Sequence, residues 1–199
     1  MPEIESTGFS NPPASLRAES ERECRTGEGP VSTEVRNFRP ALDLPARPMP
    51  QGGMSFGGTL RNRRRFYDAM VEELKDKYKI AIRRWRRVMS GVAYELKYRD
   101  GRIKRLITAP RPKSPVSAAI FLHEVGHHAI GFRRYSPRCL EEYYVWQWAF
   151  REMTARNIPV DPRVLRHYRR SMFHYVRMAR KRGLVEIPDE LHEFLVWPG

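Results

Sequence analysis

His123 and His127 stand four residues apart in the run His123-Glu124-Val125-Gly126-His127. On a helix this spacing projects both imidazoles from one face, one turn apart. Both can then reach a single Zn2+ at about 2.0–2.1 Å. Glu124, one residue past the first imidazole, is turned to the side of such a metal, where its carboxylate can accept a proton from a coordinated water. Five residues thus carry two metal ligands and a general base. The competing interpretation, two ordinary core histidines, would require other partners for two imidazoles and a carboxylate within an apolar helix.

A hydrolytic zinc centre uses three protein ligands and keeps one position open. No histidine occurs between His128 and His167, and the first carboxylates after the turn at 131–137 are Glu141 and Glu142. Glu142 shares a helix face with Val145, Trp148 and Ala149, whereas Glu141 points about 100° away. Glu142 is therefore favoured over Glu141 as the third ligand. His128, adjacent to His127, must point elsewhere and is expected to be structural or exposed. Gly126 faces away from the metal side and is expected to let another element approach closely. An oxyanion-stabilising donor is expected opposite Glu124. Tyr135, Tyr144, His167, Tyr168 and His174 are candidates, and the sequence does not choose among them.

The elements that must hold these residues can be read from periodicity and punctuation. Phe66, Met70 and Leu74 recur at i, i+4 and i+8, predicting a helix over about 62–78. Three short β-branched and aromatic runs follow, Ile80 to Val88, Val92 to Tyr98 and Ile103 to Thr108, with Asp100-Gly101 as a hairpin turn between the last two. Ser114-Pro115 reads as N-cap and first position of a helix running through the His-Glu motif to about Gly131. Apolar residues on both of its sides predict that this helix is central and buried. A third helix is expected over about 138–156. A fourth begins at Asp161-Pro162 and ends at Gly183, with Val164, Leu165, Tyr168, Met172, Tyr175 and Val176 on its apolar side. A short helix near Asp189–Val196 closes the domain. The order predicts an α+β fold: a small antiparallel sheet packed on a central HExxH helix, then a helical C-terminal half.

Composition divides the chain. Residues 1–53 hold eight of the sixteen prolines and a net charge of −2, so the remainder carries +16 of the total +14. Few large apolar residues occur in the first part, which predicts a disordered Pro-rich tail over 1–55 and one folded domain over 56–199. No apolar stretch approaches the roughly 18 residues of a spanning helix. The acidic start, Met1-Pro2-Glu3-Ile4-Glu5, lacks the order of a secretory signal, so a cytoplasmic protein with no membrane partner is expected. Cys24 and Cys139 are the only cysteines, which argues against a disulfide framework or cysteine zinc ligation. A basic domain attracts polyanions. Arg61, Arg63, Arg64 and Arg65 near Phe66, and Arg83, Arg84, Arg86 and Arg87 around Trp85, form two clusters through which nucleic acid could bind.

The motif HEVGH, followed after a short loop by Glu142-Tyr-Tyr-Val-Trp-Gln-Trp-Ala, resembles the gluzincin pattern HExxH…E. Within that group it is most similar to compact intracellular peptidases of the ImmA/IrrE type, which also place a small sheet before the active helix and glycine fourth in the motif. The resemblance covers about residues 92–160, and the loop between His127 and Glu142 is shorter than that family usually has. It implies zinc held by His123, His127 and Glu142 with Glu124 as catalytic acid and base. It also implies that the strand ending at Thr108 is the edge to which a peptide substrate adds as an extra strand. The expected function is that of a zinc-dependent metallopeptidase acting on a peptide or protein bound in extended form. The alternative is a basic nucleic-acid-binding protein with a structural or vestigial zinc site. A His2Glu set also accepts Mn2+ or Fe2+.

Overall fold

Residues 59–197 are described by the computed structural model. The Pro-rich tail expected over 1–55 lies outside the described residues. Thr59 opens α1 (Leu60–Tyr78) by accepting a hydrogen bond from the amide of Asn62, and Lys79 closes it in the left-handed region at φ 55°. The buried stripe of α1 is Tyr67, Met70, Val71 and Leu74. Three strands follow: β1 (Ile80–Arg86), β2 (Val92–Lys97) and β3 (Ile103–Pro110). The turn between β2 and β3 uses Gly101 at φ 81°, and the Gly101 amide donates to the Tyr98 carbonyl at 2.9 Å.

The sheet order is β1-β3-β2, with β2 antiparallel and β1 parallel to β3. The expected antiparallel pairing thus holds for the β2–β3 hairpin, while β1 makes the sheet mixed. This arrangement corrects the expectation that the strand ending at Thr108 is a free edge. Thr108 is paired with Val92 on one side and Arg84 on the other. The reason lies in composition: Leu106, Ile107, Ala109 and Pro110 are all buried, a nearly continuous run suited to a strand covered on both faces. β1 and β2 bury less of their length and take the edges.

Beneath the sheet runs α2 (Pro115–Ile130). Ser114 caps it in a capping box with Ser117, Pro115 fills the first turn, and Gly131 ends it at φ 94°. Every residue from Ser117 to His128 is buried, as expected for a central helix with no polar face. The helical half consists of α3 (Arg138–Ala155), α4 (Pro162–Lys181) and a 3-10 helix (Asp189–Phe194). Asp161 caps α4 by accepting from the amides of Arg163 and Val164, both at 2.9 Å. One core unites these elements, with Leu74, Ile107, Phe121, Leu122, Trp146 and Met172 fully buried in it. The fold is α+β. Among the described residues no helix is long and apolar enough to cross a membrane.

Candidate metal centre

The local geometry of α2 sets two of the three donors. His123 and His127 lie on one face with ring centroids 4.9 Å apart. The third donor comes from α3. Oε2 of Glu142 is 3.1 Å from Nε2 of His123 and 3.6 Å from Nε2 of His127. One ligand atom from each residue thus falls within 4.8 Å of the others, and all three side chains are buried. Donors at 2.0–2.1 Å around a tetrahedral Zn2+ are separated by about 3.3 Å. The two histidine–glutamate distances bracket that value, so the residues present fit a metal of this kind.

The approach of α3 to α2 depends on Gly126. A Cβ there would stand 3.0 Å from both Trp148 and Val145 of α3. The glycine therefore permits the close crossing that brings Glu142 to the histidines. Glu141 is also buried, but its carboxylate oxygens have no hydrogen-bond partner, and its ion pair with Arg138 is 3.9 Å long. It takes no part in the three-donor group.

Arg138, one turn before Glu142, donates from Nη2 to Oε1 of that carboxylate at 2.5 Å. The other oxygen is left facing the histidines. Stacking orients the imidazoles: Trp146 lies 4.5 Å from His123, and Phe132 is stacked on His127 at 5.8 Å with planes 3° apart. The Nδ1 atoms of both histidines are buried without a hydrogen-bond partner. In this respect the site differs from metal centres that hold each ring by a carboxylate or carbonyl.

Charge in the site follows from burial and proximity. Burial pushes the Glu142 carboxyl up, but the charges and hydrogen bonds of His127 and His123 outweigh it and hold Glu142 well below the usual carboxylate range. Burial lowers His123 to about 4, leaving the neutral imidazole that ligation requires. At His127 burial also acts downward, and Glu142 and Glu124 overcome it to give a net rise. Glu124 is pushed up to about 8 by burial, with His127, Arg138 and Arg86 acting in the opposite direction.

Glu124 has a close neighbour that the sequence did not signal. A Cβ on Gly91, at the start of β2, would lie 2.3–2.5 Å from atoms of the Glu124 side chain. Any side chain there would force Glu124 to move. Tyr175 was also missed, because its place on the apolar side of α4 reads as core packing. Its ring lies 5.9 Å from the Arg138 guanidinium, and its hydroxyl is bonded to that side chain. Burial, together with Glu142 and Glu124, raises Tyr175 and keeps its phenol protonated.

Of the residues considered as oxyanion donors, His167 lies near enough to His123 for its charge to act on that ring. Tyr144 donates to Glu190, and Tyr135 is packed 4.3 Å from Tyr144. Tyr168 is buried against Trp146 and Phe150, His167 contacts Trp146, and His174 is exposed. His128 is structural: it is buried, with Nε2 3.2 Å from the Leu106 carbonyl of β3. Of the two arginine clusters, the first occupies the start of α1 and the second runs along β1 into the connection that follows. The aromatics beside them are committed to packing, Trp85 against Phe121 and Phe66 against Tyr67.

Comparison with family models, with curated proteins and with solved structures gives no match for this chain.

Proposed function

We propose that the protein is a zinc-dependent metallopeptidase that hydrolyses a peptide bond in a segment bound in extended form. One observation carries this interpretation: Nε2 of His123, Nε2 of His127 and Oε2 of Glu142 converge in a buried group with Glu124 beside them. When bound by these three residues, zinc supplies an acidified water and a Lewis acid for the scissile carbonyl.

The chain's own residues provide the rest. Glu124 takes up a proton and returns it to the leaving amine, and a carboxyl pushed up to about 8 by burial is suited to both transfers near neutral pH. Arg138 fixes Glu142 through Oε1 and so aims Oε2. Tyr175, held protonated, is a donor for the oxygen on which charge develops. Among the described residues β2 pairs with β3 on one side only, and Gly91, immediately before it, lies against Glu124. An extended peptide added to its free edge would therefore run into the site, which moves the substrate edge from β3 to β2. A cytoplasmic setting accords with Cys139, which is buried and unpaired.

The test is cleavage of a mixed peptide library by the zinc-supplemented full chain, read by mass spectrometry, beside Glu124→Gln with its zinc content measured. Cleavage by the wild type, abolished in a variant that keeps its zinc, supports the proposal. A zinc-loaded wild type that cuts nothing, or a Glu124→Gln variant that cuts equally well, would overturn it.

A further inference from the structure

Helix α4 carries seven basic residues in twenty and no acidic one. Its core side is Val164, Tyr168, Met172 and Val176. At 100° per residue, Arg163, Arg166, Arg170, Arg177 and Lys181 fall within about 60° of one another on the opposite side. All five are exposed, and exposed His174 fills the gap between Arg170 and Arg177. Arg169 and Arg180 add two exposed charges along one flank. The stripe runs from residue 163 to residue 181, about 27 Å at the rise of an α-helix.

Several cations elsewhere in the domain are paired with acids. Lys75 is paired with Glu72 at 2.6 Å, Arg105 with Glu95 at 3.2 Å, Arg111 with Asp68 at 2.9 Å and Arg156 with Glu73 at 2.7 Å. Among the described residues, no ion pair involves any of the seven on α4. Glu193 is the acid that lines the groove on the Arg169 flank. Like charges three and four residues apart oppose the helix that carries them; among the described residues the stripe has no acidic ion-pair partner, and Arg170 lies over the Trp197 ring at 5.8 Å.

We infer that the outer face of α4 binds the phosphodiester backbone of a nucleic acid, independently of sequence. Seven charges over about 27 Å amount to one per about 4 Å, close to the one per 3.4 Å along each strand of a duplex. Six of the seven are arginines, whose planar guanidinium pairs with phosphate through two parallel hydrogen bonds. An anionic membrane fits less well, because an interfacial helix must offer its apolar face to lipid, and that face of α4 is in the core. Tyr175 lies on the inward side of the same helix, so a nucleic acid on the stripe leaves the metal centre uncovered. This inference does not depend on the peptidase proposal.

The test is fluorescence anisotropy with the full chain and three labelled probes of equal length: duplex DNA, single-stranded DNA and RNA. Each is titrated across 50–200 mM salt. Anionic vesicles of phosphatidylserine serve as the competing ligand. The variants are Arg166→Gln/Arg170→Gln/Arg177→Gln on α4, the same three positions changed to Lys, and Arg61→Gln/Arg64→Gln/Arg65→Gln on α1.

For wild type engaging about five phosphates, affinity should fall several hundredfold over that salt range. The α4 glutamine variant should bind at least tenfold more weakly at 50 mM, with a log–log salt slope shallower by about 2.7. The lysine variant should keep the wild-type slope, and the α1 variant most of the affinity. Preference among the three probes would identify the form of nucleic acid. Absence of binding to every nucleic acid at 50 mM, binding to vesicles alone, or an α4 glutamine variant with the wild-type slope would each overturn the inference.

Discussion

Oε1 of Glu142 lies 2.5 Å from Nη2 of Arg138, while Oε2 of the same carboxylate faces Nε2 of His123 at 3.1 Å. The guanidinium occupies one oxygen and so determines which lone pairs remain for a metal. Residues that orient a ligand in this way typically change metal affinity 10–100-fold when removed. Arg138→Leu should weaken zinc binding within that range, measured by competition against a chromophoric chelator. Arg138→Lys, which keeps the charge but loses the fork, should fall between. Equal affinity in Arg138→Leu and the wild type would show that Arg138 does not position Glu142.

Glu141 and Glu142 are adjacent in sequence and both buried, yet only Glu142 belongs to the three-donor group. Purified Glu142→Gln and His123→Ala should carry little zinc by elemental mass spectrometry, and Glu141→Gln should carry about one per chain. The Glu141 carboxylate oxygens accept no hydrogen bond and their contact with Arg138 is 3.9 Å long, so Glu141→Gln should lose little stability in urea. Loss of zinc from Glu141→Gln but not Glu142→Gln would reverse the ligand assignment.

Gly91 and Glu124 are in contact across the start of β2. A methyl group at 91 would overlap the Glu124 carboxylate, and the flexible end of that side chain is what must give way. Gly91→Ala should therefore lower peptidase kcat at least tenfold while zinc content stays near that of the wild type. A fully active Gly91→Ala would mean that the position of Glu124 seen here is not the one used in proton transfer.

His128 provides a pH-dependent contribution to stability. Burial lowers it from 6.5 to about 4. Glu95, 4.0 Å away, does not hold a proton on the ring because Arg105 already pairs with that carboxylate. The unfolded chain binds the proton below 6.5 and the folded chain only near 4. This contribution is therefore complete above pH 6.5 and is lost as pH falls toward 4. At pH 4.5 the cost is about 2–3 kcal/mol. Urea melts of the chelated protein at pH 7.5 and 4.5 should show a larger acid loss for wild type than for His128→Gln, whose amide can still donate to Leu106. The same loss in both would remove His128 as its source.

Features that depend on neighbours within one element are legible along the chain. Ser114-Pro115 and Gly131 bound α2 because caps and a glycine terminus are local chemistry. His123 and His127 share a face because residues four apart always do. Tyr98 to Arg102 forms a turn because Gly101 tolerates φ 81°. Relationships between elements arise from packing. The parallel placement of β1 beside β3 put β3 at the centre, since its buried run competes best for the position covered on both faces. The rotation of α3 against α2, set where Trp148 and Val145 close on Gly126, brought Glu142 rather than Glu141 to the histidines. Spacing alone favoured Glu142 but could not exclude its neighbour. Arg138, Tyr175 and Gly91 gave no signal, because their roles arise from the docking of α3, α4 and β2 around Glu124 and Glu142. Periodicity specifies which way a side chain points from its own helix, and packing between helices specifies what it meets there.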